Sequence, residues 1–173
     1  MIKKITLFAV AALFAVSASA QIKVNVGGGL LFPMGDFGDV AKTGFGANVG
    51  GKYMLNEKMA VGLNIGYFMM GEELDGVKIS IIPVSGSFSY YFGEGAIKPY
   101  ASAELGYYTA KTKIDALDVD DSESDFGFAP VLGVEYALSD KLTLDANAKY
   151  HYINTEDEAT KAFGINVGLV FAF

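Results

Sequence analysis

The stretch Ala162-Phe163-Gly164-Ile165-Asn166-Val167-Gly168-Leu169-Val170-Phe171-Ala172-Phe173 decides the fold. Phe163, Ile165, Val167, Leu169, Phe171 and Phe173 are large and apolar; the residues between them are small, apart from Val170 and the amide of Asn166. Period-two alternation of this kind makes a β-strand with two unlike faces. A second face turned to water would carry charge at roughly a quarter to a third of its positions. This one carries none. Small residues instead suit the inside of an eight-stranded barrel, which is only wide enough for side chains to fill. The apolar face therefore looks outward, at lipid. The stretch 59–69 repeats the logic, with Met59, Val61, Leu63, Ile65, Tyr67 and Met69 on one side and Ala60, Gly62, Asn64, Gly66 and Phe68 on the other.

Working outward, six more segments alternate in the same way: 22–32, 45–55, 77–92, 98–113, 126–138 and 142–152. Eight strands is an even number, as bacterial membrane barrels require. The connectors alternate too. Short ones lie at 56–58, 93–96 and 139–141, and longer, mostly acidic ones at 33–43, 71–76, 115–125 and 154–160. Short turns at one rim and long loops at the other organise outer-membrane barrels, with both termini at the periplasmic rim. The aromatics form two belts. Phe32, Phe45, Tyr67, Tyr107, Phe126, Phe128, Tyr150, Tyr152 and Phe163 lie at the long-loop end, while Tyr53, Tyr90, Phe92, Tyr136, Phe171 and Phe173 lie at the other. The expected fold is all-β: an eight-stranded antiparallel up-and-down transmembrane barrel over 21–173. Two local bulges are expected, at Ile81-Ile82-Pro83 and at Pro130 on the lipid face of strand six.

Composition agrees. A chain of 173 residues that is 51% hydrophobic is too apolar for disorder, yet no apolar run reaches the ~18 residues of a membrane helix. No Cys means no disulfide, thiol catalysis or thiolate metal site. All 13 cations are Lys against 20 acids, so nucleic acid is not an expected partner. Lys3 and Lys4, the apolar run 5–16 and Ala18-Ser19-Ala20 form a secretory signal peptide over 1–20, cleaved between Ala20 and Gln21. Removing it leaves a net charge of −9.

The stretch Gly133-Val134-Glu135-Tyr136-Ala137-Leu138-Ser139-Asp140-Lys141-Leu142-Thr143-Leu144, ending in Tyr150, is similar to the penultimate hairpin of the small eight-stranded outer-membrane β-barrel family. That family contains outer-membrane protein X and the barrel domain of outer-membrane protein A. Lys98-Pro99-Tyr100 fits the same resemblance. Leu169, Phe171 and Phe173 resemble the carboxy-terminal signal read by the barrel-assembly machinery. The resemblance implies the cell outer membrane, with lipid and lipopolysaccharide as surroundings. It does not choose among adhesins, channels, enzymes and structural proteins.

Charges gather on the inward face: Lys23, Lys52, Glu104, Glu135, Asp145 and Lys149, with Asn147 and His151. They are expected to form a lumen polar network that plugs the barrel; the alternative is a narrow path for ions or small solutes. His151 is the only His, and Ile153 stands where lipid A deacylases place the Ser of a His-x-Ser pair. No catalytic residue and no cofactor is therefore expected. The acidic segment, with Asp118, Asp120, Asp121, Glu123 and Asp125, is a weak candidate for a Ca²⁺ site and reads first as a solvated loop. Strands four and five exceed the roughly 9–11 residues that span a bilayer, so their ends should project as a sheet whose edge could recruit an extracellular protein at the long loops. The expected function is a non-enzymatic outer-membrane protein, structural or adhesin-like. A channel is the alternative, and a soluble secreted ligand-binding barrel the third reading.

Overall fold

The computed structural model describes residues 21–71, 77–114, 119–155 and 159–173. The expected leader, including Ala20, and the acids Asp115 and Asp118 lie outside the described residues. Eight strands run in chain order: β1 Ile22–Met34, β2 Lys42–Met54, β3 Met59–Gly71, β4 Val77–Tyr91, β5 Ile97–Ile114, β6 Val119–Ala137, β7 Leu142–Ile153 and β8 Thr160–Ala172. Each pairs antiparallel with its neighbours, and β8 closes on β1 from Lys23↔Ala172 to Met34↔Lys161. Closure leaves no spanning edge, so backbone groups pair between strands without water except beside Pro83 and Pro130. One short helix, α1 Asp36–Val40, folds between β1 and β2, where the sequence suggested only a loop.

The short turns have local causes. Asn56 Oδ1 accepts from the Lys58 and Met59 amides at 2.8 and 2.9 Å, an Asx-type turn. Ser139 Oγ accepts from the Leu142 amide at 3.2 Å. Gly95 sits at φ 101°, where a side chain would be strained.

The outward face is apolar. Leu63 is 71% exposed and Leu132 68%, with Phe45, Val84, Tyr107 and Val167 exposed around them. In water this face would be one continuous hydrophobic patch circling the protein, far beyond what soluble monomers carry. The soluble-carrier reading is thereby overturned.

Neither expected bulge is present. Across Pro83 the β3–β4 ladder passes from Ile65↔Val84 to Phe68↔Ile81, and across Pro130 the β6–β7 ladder passes from Phe128↔Tyr152 to Val131↔Lys149. In each case three residues are traversed on both strands, so the register is unchanged. The ladder skips the pairs at the missing N–H, while the opposite ladder runs on through Pro83↔Tyr108 and Ala103↔Pro130. A proline's lost donor affects one neighbour only. The apparent phase slip at Ile81-Ile82 is two apolar residues on opposite faces: Ile81 is buried inside, and Ile82 continues the outward series.

The acidic segment is also corrected. β6 begins at Val119, so Asp121, Glu123 and Asp125 belong to a strand, opposite Thr112, Ala110 and Tyr108. β5 and β6 reach 18 and 19 residues, well past a bilayer span of roughly 9–11. The charge run is held as a strand by residue-for-residue pairing with β5, from Tyr108↔Asp125 to Thr112↔Asp121.

Candidate functional site: the barrel lumen

Among the described residues the lumen holds three ion pairs, Lys23 and Lys52 to Glu135 and Lys149 to Glu104, while Asp145 is held by hydrogen bonds. Glu135, 1% exposed, is the most enclosed. Its carboxylate accepts from Lys23 Nζ at 2.9 Å, Lys52 Nζ at 3.3 Å and the Tyr91 hydroxyl at 2.8 Å. Lys23 and Lys52 are direct cross-strand partners on β1 and β2, and Glu135 reaches them from β6 across the barrel. Lys52 Nζ also lies 4.7 Å from the Tyr100 ring centre, and Lys23 Nζ 5.3 Å from that of Tyr91. The aromatic faces thus share the positive charge.

Asp145 accepts from the Tyr100 hydroxyl at 2.8 Å and from Asn147 Nδ2 at 2.6 Å. A chain of amides continues the network: Asn166 Nδ2 donates to Asn147 Oδ1, and Asn48 Nδ2 donates to Asn166 Oδ1, both at 3.2 Å. Further along, Glu104 accepts from Lys149 Nζ at 2.7 Å, Ser85 Oγ at 3.1 Å and Asn64 Nδ2 at 3.4 Å. His151 is buried with its Nδ1 3.0 Å from the Tyr108 hydroxyl. The sequence-selected lumen residues lie on the inward face in separate groups: Glu135 with Lys23 and Lys52, Asp145 with Asn147, Glu104 with Lys149, and His151 against Tyr108.

Two glycines make room for the tyrosines. A Cβ on Gly133 would lie 2.5 Å from Tyr100 Cζ, and one on Gly127 would lie 2.8 Å from Tyr108 Cε2. Each bare backbone is a seat for a ring that crosses to the next strand's polar group. Only glycine permits so close an approach.

Beyond the polar layers, toward the long-loop end, the lumen turns apolar. Leu31, Ala41, Phe68, Met70, Ile81, Tyr108, Ile153 and Ala162 form one buried cluster, and Phe37 of α1 packs onto it. Sequence reasoning missed this stopper. It also missed Tyr91, Tyr100 and Tyr108.

Two small voids remain between the layers. The lower, about 30 Å³, is lined by Asn25, Ser87, Lys52, Asp145 and others; the upper, about 20 Å³, reaches Gly66, Pro83 and His151. Asn25 Oδ1 and Ser87 Oγ have no protein partner and both line the lower void. Voids of this size and polarity have room for one or two waters each. Asn48, Asn64, Glu104 and Lys149 border both, so the Lys149–Glu104 pair is the partition. Wider hollows open at the short-turn mouth, with volumes of about 520 and 410 Å³.

Of the weak cation candidate, Asp118 and the side chain of Asp120 lie outside the described residues. Asp121, Glu123 and Asp125 are spaced along one strand, and among the described residues no three acids or histidines come close enough to hold a metal ion.

Residues 6–173 match the family described as outer membrane protein beta-barrel domain. No curated protein sequence matches. Among solved structures, Neisserial surface protein A is similar with a TM-score of 0.78 and 19% identity, covering 90% of this chain and 98% of that one. Ail, the attachment invasion locus protein of Yersinia pestis, gives 0.62 and 18%, covering 88% and 98%. OprG from Pseudomonas aeruginosa gives 0.59 and 17%, covering 88% and 95%. Strand number, closure, apolar exterior and family match agree: this chain belongs to the outer membrane protein β-barrel domain family and resides in the cell outer membrane.

Proposed function

We propose that this protein is a non-conducting, non-enzymatic surface component of the outer membrane, structural or adhesin-like, with a lumen packed shut. Residues 1–20 act as the export leader. Both termini and the short turns face the periplasm, and the β4–β6 extension stands outside the cell. Leu169, Phe171 and Phe173 present the assembly signal, and lipopolysaccharide surrounds the outer rim.

The observation that carries this reading is the filling of the lumen in successive layers. A Glu135-centred cluster, an amide chain, the Glu104–Lys149 pair and an apolar stopper follow one another, with voids of only about 30 and 20 Å³ between them. Ions need a continuous wetted path, and a dry constriction opposes wetting. Function then falls to the outer surface. Adhesion has a precedent on this fold in Ail, a structure of which holds the heparin analogue sucrose octasulfate.

One observation favours a second reading, a narrow channel. The two voids share four lining residues, so displacing the Lys149–Glu104 pair would join them. Planar-bilayer conductance decides between the two. The folded wild-type barrel is expected to be silent, as is Glu104→Gln. Discrete steps that change on replacing Glu104 or Lys149 would make this a channel.

A further inference from the structure

Removal of the leader between Ala20 and Gln21 makes Gln21 the first residue of the exported protein and gives it an α-amine. The fold holds this residue at two points. Its backbone carbonyl accepts from the Met54 amide at 2.7 Å, and its side-chain Oε1 accepts from the Tyr53 hydroxyl at 2.7 Å. Both donors stand at the end of β2, and Tyr53 is the cross-strand partner of Ile22, the next residue along. Both bonds end on oxygen atoms of Gln21, so the side-chain amide nitrogen is engaged in neither. Gln21 is exposed and lines the wider hollow at the short-turn mouth, together with Lys23, Glu57, Glu94 and Lys98.

An amino-terminal glutamine carries a nucleophile and an electrophile in one residue. An α-amine titrates well below a lysine, so part of it is neutral and able to attack at pH 7. As the α-nitrogen adds to Cδ, the N–Cδ bond forms and the carbonyl electron pair moves onto Oε1. Collapse restores the carbonyl, breaks the Cδ–Nε2 bond and expels ammonia, which takes up the proton lost by the α-nitrogen. The product is the uncharged lactam pyroglutamate. Negative charge develops on Oε1, the atom that the Tyr53 hydroxyl touches, and a donor placed there lowers the barrier of an acyl transfer. The two anchors also leave only the torsions between them to be searched for ring closure. The lactam keeps both oxygen acceptors, so Tyr53 and Met54 retain their partner, while the mouth beside Lys23 and Lys98 loses a positive charge.

We infer that Gln21 is a modification site, closing to pyroglutamate in the mature protein with Tyr53 donating to the reacting oxygen. The inference rests on the leader assigned above and is independent of whether the lumen conducts. An enzyme acting on exported amino termini would yield the same product, so the test has one arm in cells and one without them.

In cells, the intact mass of protein extracted from outer membranes should equal that of residues 21–173 less one ammonia. Mass-spectrometric sequencing reads through the lactam, so the start at Gln21 and the closed ring are scored together. The full mass of residues 21–173 would overturn the modification and leave the leader standing; a start at any other residue would remove both. Without cells, a detergent-folded chain is cut by a protease directly ahead of Gln21, and loss of ammonia is followed by mass. One such donor is worth roughly 10²–10³ in rate at a dry site, and about tenfold over the same chain unfolded in urea is expected for this exposed one. Tyr53→Phe should convert at the unfolded rate, and Tyr136→Phe, in the same aromatic belt, like wild type. Folding of each variant is verified by heat-modifiable migration; if Tyr53→Phe does not fold, the folded-to-unfolded ratio of the wild type carries the test. A folded wild type no faster than the unfolded chain, or a folded Tyr53→Phe that keeps the acceleration, would overturn the part assigned to Tyr53.

Discussion

Replacing Glu135 by Gln tests whether the lumen network holds this barrel together. The amide still accepts from the Tyr91 hydroxyl, but it cannot neutralise Lys23 and Lys52. Those two ammonium groups are cross-strand partners, both held within 3.3 Å of a carboxylate that is 1% exposed. Removing one partner of a buried ion cluster costs about 3–5 kcal/mol, because the remaining charge stays desolvated. For a chain of this size each kcal/mol moves Tm by roughly 2–4 °C, so the expected fall is on the order of 6–20 °C. The measurement is loss of β-sheet circular dichroism on heating the detergent-folded barrel, with unheated gel migration as a fold check. Glu123→Gln, on the exposed extension of β6, serves as control and should shift Tm by less than ~2 °C, within the small range of surface substitutions. The triple change K23M/K52M/E135L removes all three charges together and should recover most of the loss, since apolar replacement of a complete buried cluster is often neutral or stabilising. The reasoning is refuted if Glu135→Gln behaves like Glu123→Gln, or if the triple variant is less stable than the single one.

Gly133→Ala should destabilise by about 1–3 kcal/mol, because its Cβ would press on the Tyr100 ring at 2.5 Å and loosen the Tyr100–Asp145 bond. Gly51→Ala, whose Cβ meets nothing closer than 4.0 Å, should be neutral or mildly stabilising in the same urea titration. Amino-terminal sequencing of protein extracted from outer membranes should begin at Gln21; a start at Met1 would sink the leader assignment. Calcium should leave the urea midpoint unchanged, since Asp121, Glu123 and Asp125 do not converge, and a chelator-reversible rise would restore the cation site.

Parity made most of this structure legible. Once one strand is oriented by its uncharged small face, every other side chain follows by counting in twos, which is how Lys23, Lys52, Glu104, Glu135, Asp145, Asn147, Lys149 and His151 came to be placed inside. The misreadings share a physical cause: a local property was weighed without its cross-strand partner. Pro83 and Pro130 suggested bulges because a proline disrupts a ladder, but the strand on the other side keeps the register and absorbs the gap. The acidic segment suggested a loop because like charges repel, but it pairs with β5 at Thr112↔Asp121, Ala110↔Glu123 and Tyr108↔Asp125. The apolar stopper was hidden in doubled residues. Leu30-Leu31, Met69-Met70 and Ile81-Ile82 each send one side chain to lipid and its twin inward, so alternation is masked where both faces are apolar. Tyr90-Tyr91 and Tyr107-Tyr108 conceal the inward tyrosines in the same way.

The network's reach also explains why so costly a polar core sits in so small a barrel. Backbone ladders connect only neighbouring strands, and a ladder shifted by two residues keeps its hydrogen bonds and its inside–outside pattern. The side chains are less forgiving. Lys23 on β1 and Lys52 on β2 meet Glu135 on β6, Lys149 on β7 meets Glu104 on β5, and Asn48 on β2 meets Asn166 on β8. Slipping β1 against β8 by two residues would carry Lys23 about 7 Å along the barrel from Glu135 and cost its ammonium that partner. The closing seam is thus specified by contacts across the lumen, and the same contacts fill the space a channel would need.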